Sequence, residues 1–204
     1  RVLGTCQMTQ RPDILAILGP HHPRNDRVTG WLTWHHNYAT FMFQNVASSI
    51  TEDLIKRTKD KSEKRNPGWF VRNPEGQQQK LPKLAGFTAP EVMEAIELGL
   101  VTNLDPDFIV KVIAARMSSF WRSKAGKKRP TLLLDTRHEN EIELVKALGG
   151  KFLRISMPSL PPLPPFFDQI DPDYHVDVPD IERFEEIHDL MAEMFPLTAP
   201  PESR

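Results

Sequence analysis

The sequence has few of the features that mark a secreted or membrane-embedded protein. It contains a single cysteine, Cys6, so an internal disulfide framework is excluded, and this suits a reducing compartment. No apolar run reaches the roughly eighteen residues that a transmembrane helix needs, and no signal peptide is recognisable. These absences predict a cytoplasmic protein without a membrane partner.

The chain also lacks a net charge of either sign. Its 204 residues include 26 lysines and arginines against 27 acidic residues, so the overall charge does not indicate a nucleic-acid partner. Only ten glycines stand against nineteen prolines, which indicates stiff loops between helical segments. The length is enough for one sizeable domain with its own core. The chain begins at Arg1 rather than at methionine, which predicts a processed N-terminus or a longer gene product.

One stretch, residues 131–155, has the pattern of a strand, a helix and a second strand. Residues 131–134 form an apolar run that ends at Asp135, and an amphipathic segment follows until two glycines, Gly149 and Gly150, end it. Residues 151–155 then alternate like a second strand. Asp135 and Arg137 are therefore predicted just beyond the carboxyl end of a parallel strand, where open α/β sheets bind ligands. The alternative is an internal ion pair that only pins the loop.

Further segments predict the rest of an α/β protein. Its class is three-layer α/β/α with a mainly parallel central sheet, in one domain over residues 13–197, with an N-terminal arm at 1–12 and a tail at 198–204. Periodicity predicts strands at 13–18, 40–43 and 174–178, and helices within 27–37, 44–57, 88–98, 105–120 and 180–195, while 67–70 and 77–79 read as loops.

The motifs of this stretch resemble those of the viral, phage-type deoxynucleoside monophosphate kinases. The similarity lies in Asp-Thr-Arg-His-Glu-Asn-Glu at 135–141, Leu-Gly-Gly-Lys at 148–151 and Asp-Pro-Asp-Phe at 105–108. It implies a P-loop kinase-like fold and an infected host cell's cytoplasm as the location. It also implies catalytic roles for Asp135 and Arg137 and substrate contacts from Asn140 and Glu141, with Arg116 as a further substrate-binding candidate.

The chain departs from that family at the phosphate loop, where the family has G-x-x-x-x-G-K-[ST]. Here Gly19 is followed by Pro-His-His-Pro-Arg-Asn-Asp, and two prolines remove backbone donors that would bind phosphate. ATP and magnesium are expected as cofactors only if this degenerate loop still binds phosphate. The substrate-binding candidates within it are His21, His22, Arg24 and Asn25.

A basic run and an aromatic repeat leave two interpretations each. Residues 56–65 are either a solvated helix end or part of a lid-like basic insertion, 56–87, that contacts nucleic acid. Trp31, Trp34 and Tyr38 fall at helical spacing, which is typical of core packing, with base stacking as the alternative. The nucleic-acid candidates of the basic run are Lys59, Lys61, Lys64 and Arg65.

Three functions are consistent with this mixture of kept and lost motifs. The first is an enzyme of nucleotide or DNA-base metabolism that transfers a group to a nucleotide or to a modified base in DNA, such as a hypermodified thymine. The second is a catalytically inactive pseudokinase that acts as a binding or structural protein. The third is a genuine deoxynucleoside monophosphate kinase with an aberrant phosphate loop. No metal-ligand motif is predicted, and a homodimer remains open.

Overall fold

The protein, seen here in a computed structural model, divides into two compact units. The structure describes residues 14–19, 25–58, 64–126, 129–156, 163, 165–178 and 184–195. The first unit is drawn from Arg1–Met42 and Met117–Arg204, and the second from Phe43–Arg116. The predicted arm at 1–12 and tail at 198–204 lie outside the described residues.

The first unit is built on a five-stranded sheet whose paired strands are all parallel. Its central strands are buried along their whole length, as expected when helices cover both faces of a parallel sheet. The strands are β1 (Ile14–Leu18), β2 (Ala39–Met42), β3 (Thr131–Thr136), β4 (Lys151–Ser156) and β5 (Tyr174–Asp177), in the spatial order β2-β3-β1-β4-β5.

Eight α-helices and two short 3-10 helices, Pro82–Leu84 and Pro165–Gln169, accompany these strands in the described part of the chain. The α-helices are α1 (Asn25–His36), α2 (Asn45–Thr58), α3 (Pro67–Arg72), α4 (Pro74–Gln77), α5 (Ala89–Asn103), α6 (Phe108–Arg122), α7 (Glu139–Ala147) and α8 (Phe184–Met194).

Helices lie on both faces of the sheet. Because side chains alternate along a strand, Leu15 of β1 faces one side, where it shares a core cluster with Leu32 of α1 and Met191 of α8. Ile14 faces the other side, where it and Val145 of α7 both approach Gly150. The predicted three-layer α/β class with a parallel sheet is confirmed.

The chain reverses its direction across the sheet at β1 and β3. From β1 it passes through α1 to β2 on one side, and from β3 it passes through α7 to β4 on the other side. β1 therefore lies between the two strands of the βαβ unit at 131–155. A reversal of this kind opens a crevice beyond the carboxyl ends of the two strands, and open α/β sheets bind ligands there. We call this place the β1–β3 crevice.

The second unit is helical in its described residues, with a core around Ile55, Phe70 and Met93. Helix α3 shows that the loop predicted at 67–70 was wrong, because the Asn66 side chain caps a short helix there. Of the loop predicted at 77–79, only Gln77 is helical, as the last residue of α4, which Asn73 caps. The start of α5 follows the prediction, since Thr88 and Glu91 form its capping box.

Burial separates residues that helical spacing had grouped together. Trp31 and Tyr38 are buried, whereas Trp34 is 87% exposed, so the prediction of core packing was wrong for Trp34. Ile50, predicted to face inward on α2, is 36% exposed. Among the described helices, none has the length and apolar character needed to cross a membrane.

Candidate functional site

The β1–β3 crevice contains the residues that the sequence placed at the end of the central strand. Leu18 lies opposite Thr136 in the parallel register, and the backbone N–H of Gly19 donates to the carbonyl of Thr136 at 2.8 Å. Gly19, the first residue of the predicted phosphate loop, is thus hydrogen-bonded to the residue that follows Asp135. Of that loop, His21, His22 and Arg24 lie outside the described residues. Asn25 begins α1, and its side chain is likewise outside the described set.

Asp135 interrupts the regular course of β3. Its φ is +62°, in the left-handed region that residues with a Cβ rarely adopt. The pairing between β1 and β3 shifts register between Ala16 and Leu18, next to this residue. Such irregularities change the direction in which side chains point, and they are frequent near active sites. The surrounding structure therefore holds Asp135 in a backbone conformation that a residue with a Cβ does not favour.

The Asp135 carboxylate forms an ion pair with Arg137. Arg137 Nε lies 2.9 Å from Asp135 Oδ1, and the two side chains are 28% and 3% exposed. A buried charge is costly unless it is paired, and here the partner also reaches the surface. The pair therefore holds a buried carboxylate next to a guanidinium that solvent or a ligand can reach.

Glu141 is a second buried acid at this crevice. Its Oε2 accepts hydrogen bonds from the backbone N–H groups of Arg137, at 2.6 Å, and His138, at 3.0 Å. Burial raises the pKa of Glu141 to about 7, although these two bonds oppose the rise, while nearby Asp135 adds to it. The carboxyl therefore titrates near neutral pH.

The position of Glu141 bears on its predicted contact with a substrate. The Glu141 carboxyl accepts from the N–H groups of Arg137 and His138, which precede α7, in the manner of a capping box. Asn140 lies half-buried in the first turn of the same helix. Substrate contacts from Asn140 and Glu141 remain predictions.

Other predicted residues belong to the second unit. Arg116 and Lys64 are exposed there. The Arg65 guanidinium lies 4.2 Å from the centre of the Trp69 ring and donates to Gln79 Oε1 at 3.4 Å. Lys59 and Lys61 lie outside the described residues, so the lid-like insertion at 56–87 stays a prediction.

A buried hydroxyl that the sequence analysis missed stands next to Asp135. Thr136 is fully buried, and its Oγ1 has no hydrogen-bond partner among the described residues. Buried hydroxyls are normally hydrogen-bonded, so Thr136 is a further candidate for contact with a bound group. In the sequence, only the position of Thr136 after the apolar run of β3 could have indicated this role.

A cluster of Ser156, His175 and Asp177 at the ends of β4 and β5 was also missed. His175 Nε2 lies 2.6 Å from Ser156 Oγ and 3.2 Å from Asp177 Oδ1. A hydrolytic triad uses both ring nitrogens, whereas both contacts here use one, so this is not such a triad. Strand alternation already places His175 and Asp177 on one face. No group of three metal-ligating side chains occurs within the described ranges.

The fold defines the class as an open parallel α/β protein, and the crevice at its topological switch point is the place where such sheets bind ligands. The sequence matches no family of known proteins and no curated protein. Among solved structures, a dephospho-CoA kinase from Campylobacter jejuni is similar, with a TM-score of 0.43 and 9% sequence identity, over 89% of this chain and 94% of that chain.

Proposed function

We propose that this chain is a kinase-like enzyme with an altered nucleotide site, which binds a phosphate-bearing ligand at the β1–β3 crevice and transfers a group to or from it. The observation that carries the proposal is Asp135, a buried carboxylate at φ +62° paired with Arg137 at the switch point. Strained backbone and buried ionisable pairs are both enriched at functional sites.

The two side chains suit complementary roles. A guanidinium pairs well with phosphate oxygens, and Arg137 keeps part of its side chain accessible. A carboxylate within reach of a hydroxyl accepts its proton as it attacks, and Asp135 is the buried carboxylate beside that guanidinium. In this proposal Arg137 binds and orients the phosphate, Asp135 acts as the general base, and the Thr136 hydroxyl contacts the ligand.

Ordinary ATP–magnesium binding is expected to be weak or absent. The family's lysine and second glycine are missing after Gly19, and these supply the main charge and the close backbone contacts to phosphate. We therefore expect no micromolar heat of ATP binding by calorimetry. Micromolar binding that disappears on changing Asn25 would contradict this expectation and would favour a genuine deoxynucleoside monophosphate kinase.

The finer proposal is that the substrate is a nucleotide or a modified base in DNA, and that the protein is of phage origin. It rests on the resemblance to viral deoxynucleoside monophosphate kinases and on the basic run at 56–65. If DNA is the substrate, neutralising Lys59, Lys61 and Lys64 should weaken binding and flatten its salt dependence by roughly 0.9 in slope per lost duplex contact. An unchanged slope of the salt dependence would contradict only the prediction that the basic insertion at 56–87 is a lid.

The direct test is a titration of the parent protein with deoxynucleoside monophosphates, ATP–magnesium and DNA oligomers, repeated for Arg137→Gln. We expect Arg137→Gln to weaken binding about tenfold or more, since a charged hydrogen bond contributes about 1.5–3 kcal/mol. Lys146→Gln is the matched control, because Lys146 lies exposed on α7 and pairs only with Glu143 among described residues. Equal affinity in parent and Arg137→Gln would place the ligand elsewhere.

A pseudokinase is the second candidate, and one observation favours it. Asp135 already neutralises Arg137, and Glu141 already accepts from the N–H groups before α7, so the crevice satisfies its own charges. Mass spectrometry of the ligand after incubation separates the two functions. Modified ligand that Asp135→Asn no longer produces supports the enzyme, whereas binding without any product supports the pseudokinase.

A further inference from the structure

An exposed tryptophan lies at the end of the sheet opposite the β1–β3 crevice. Trp34 is in the last turn of α1, just before β2 begins, and 87% of it is exposed. It makes no ring contact or hydrogen bond within the part of the chain that the structure describes. Gly30 lies one turn earlier on the same side of α1, and apart from its neighbours in the chain and the helix backbone no atom lies within 4 Å of where its Cβ would be. The indole therefore has open space around it.

A cation without an acidic partner among the described residues lies near the C-terminal end of α1. Arg129 donates from Nε to the carbonyl of Asn37 at 3.1 Å and from Nη2 to that of Tyr38 at 2.9 Å. Both acceptors are neutral, so they hold the guanidinium without cancelling its charge. Asn37 is only three residues from Trp34, which places Arg129 close to the last turn of α1.

Two more cations lie at this end of the sheet, on the face opposite α1: Arg122 is the last residue of α6, and Lys124 follows it on the connection to β3. Arg122 and Lys124 are exposed and make no ion pair with any described residue. Elsewhere cations are commonly paired with acids, as Lys111 is with Asp105 and Lys146 with Glu143.

The two segments that meet here contain no acidic residue over long stretches. No aspartate or glutamate occurs between Asp26 and Glu52, or between Asp107 and Asp135. The segments are joined where the N–H of Ala39 donates to the carbonyl of Pro130 at 2.8 Å. Helix α8, which contacts α1, carries the acids Asp189 and Glu193.

We propose that this region, the Trp34 surface, binds single-stranded nucleic acid. Its residues are Trp34, Arg122, Lys124 and Arg129. An exposed aromatic ring beside cations is the combination that binds unpaired strands, because a base stacks on the ring while the cations contact phosphates. Trp34 suits stacking better than Trp69 does, because Arg65 already covers the Trp69 ring. The proposal is independent of the group transfer proposed for the β1–β3 crevice.

The test measures fluorescence anisotropy of a labelled oligothymidylate of about 15 nucleotides, a length suited to one such site. We expect Trp34→Ala to weaken binding roughly 5- to 150-fold, the range given by loss of one stacked base, and Trp34→Phe to weaken it less. The double variant Arg122→Gln, Lys124→Gln should flatten the salt dependence by about 1.4 in slope, or about 0.7 per contact. Arg129 is not substituted, because it donates hydrogen bonds to two backbone carbonyls and its loss would disturb the fold there.

Three controls locate the binding. Leu98→Ala removes an exposed apolar side chain from the second unit, and Lys146→Gln removes a cation from α7; both should bind like the parent. Asp135→Asn tests the alternative site, because a defect shared by Asp135→Asn and Trp34→Ala would place the strand in the crevice and overturn the proposal. Thermal unfolding of Trp34→Ala should match the parent, since the side chain contributes little burial.

Four results would overturn the proposal. They are no binding by the parent at low salt, unchanged affinity in Trp34→Ala, equal competition by duplex DNA, and equal competition by polyglutamate. The third would indicate backbone contacts without stacking, and the fourth an acidic polypeptide as the partner. Binding that prefers single strands and requires Trp34 supports the proposal.

Discussion

Glu141 should make the free energy of unfolding depend on pH in a way that one substitution removes. Its side chain is 2% exposed, and burial raises its pKa from the ordinary 4.5 to about 7. Between these two values the folded protein keeps a proton that the unfolded chain has released. Stability from this group is therefore fully present below about pH 4.5 and is lost as the pH rises to about 7. A pKa rise of this size corresponds to about 3 kcal/mol.

The informative variant is Glu141→Gln, because its amide oxygen can still accept from the N–H groups of Arg137 and His138 while the titration is gone. Urea unfolding followed by tryptophan fluorescence at several pH values measures the free energy of unfolding for parent and variant. Between pH 4.5 and 7 we expect the parent to lose up to about 3 kcal/mol more than the variant. Glu143→Gln, exposed on the same helix and paired with Lys146, should follow the parent.

Parallel curves for the parent and Glu141→Gln would refute this reasoning. Such a result would mean that the two backbone hydrogen bonds offset the effect of burial and leave the pKa of Glu141 near its ordinary value. A slope of the opposite sign would mean that they depress its pKa below the ordinary value. Either outcome would also weaken the view that a proton is exchanged near Asp135 at neutral pH.

Two further predictions concern the backbone. Asp135→Asn should be more stable to urea than Asp135→Ala by about 1 kcal/mol, because asparagine tolerates the left-handed φ of this position and alanine does not; equal stabilities would show that the strain is relieved. Gly99→Ala should raise stability by about 0.5–1 kcal/mol, since alanine favours a helix interior and space is open there. Gly126→Ala should lower it by about 1–3 kcal/mol, because the added Cβ would overlap the carbonyl of Phe120; a matching gain at both glycines would contradict this.

The sequence by itself determined the strands and the longer helices, and the end of the sheet at which Asp135 lies. Apolar runs predicted the buried strands because a strand covered on both faces has no polar side, and the capping pair Thr88 and Glu91 marked the start of α5 through local hydrogen bonds. A strand followed by a helix and a second strand implied parallel pairing, and hence a site beyond the carboxyl end of β3. Each of these depends on residues close together in the chain.

Only the tertiary structure decided which strand lies beside which, and with it the character of the site. β1 lies between β3 and β4, its register shift accompanies the left-handed φ of Asp135, and burial in the folded protein raises the pKa of Glu141. Helical spacing likewise could not separate buried Trp31 from exposed Trp34. Periodicity assigns a residue to one face of its own element, whereas burial, strain and ionisation depend on what distant segments bring against that face.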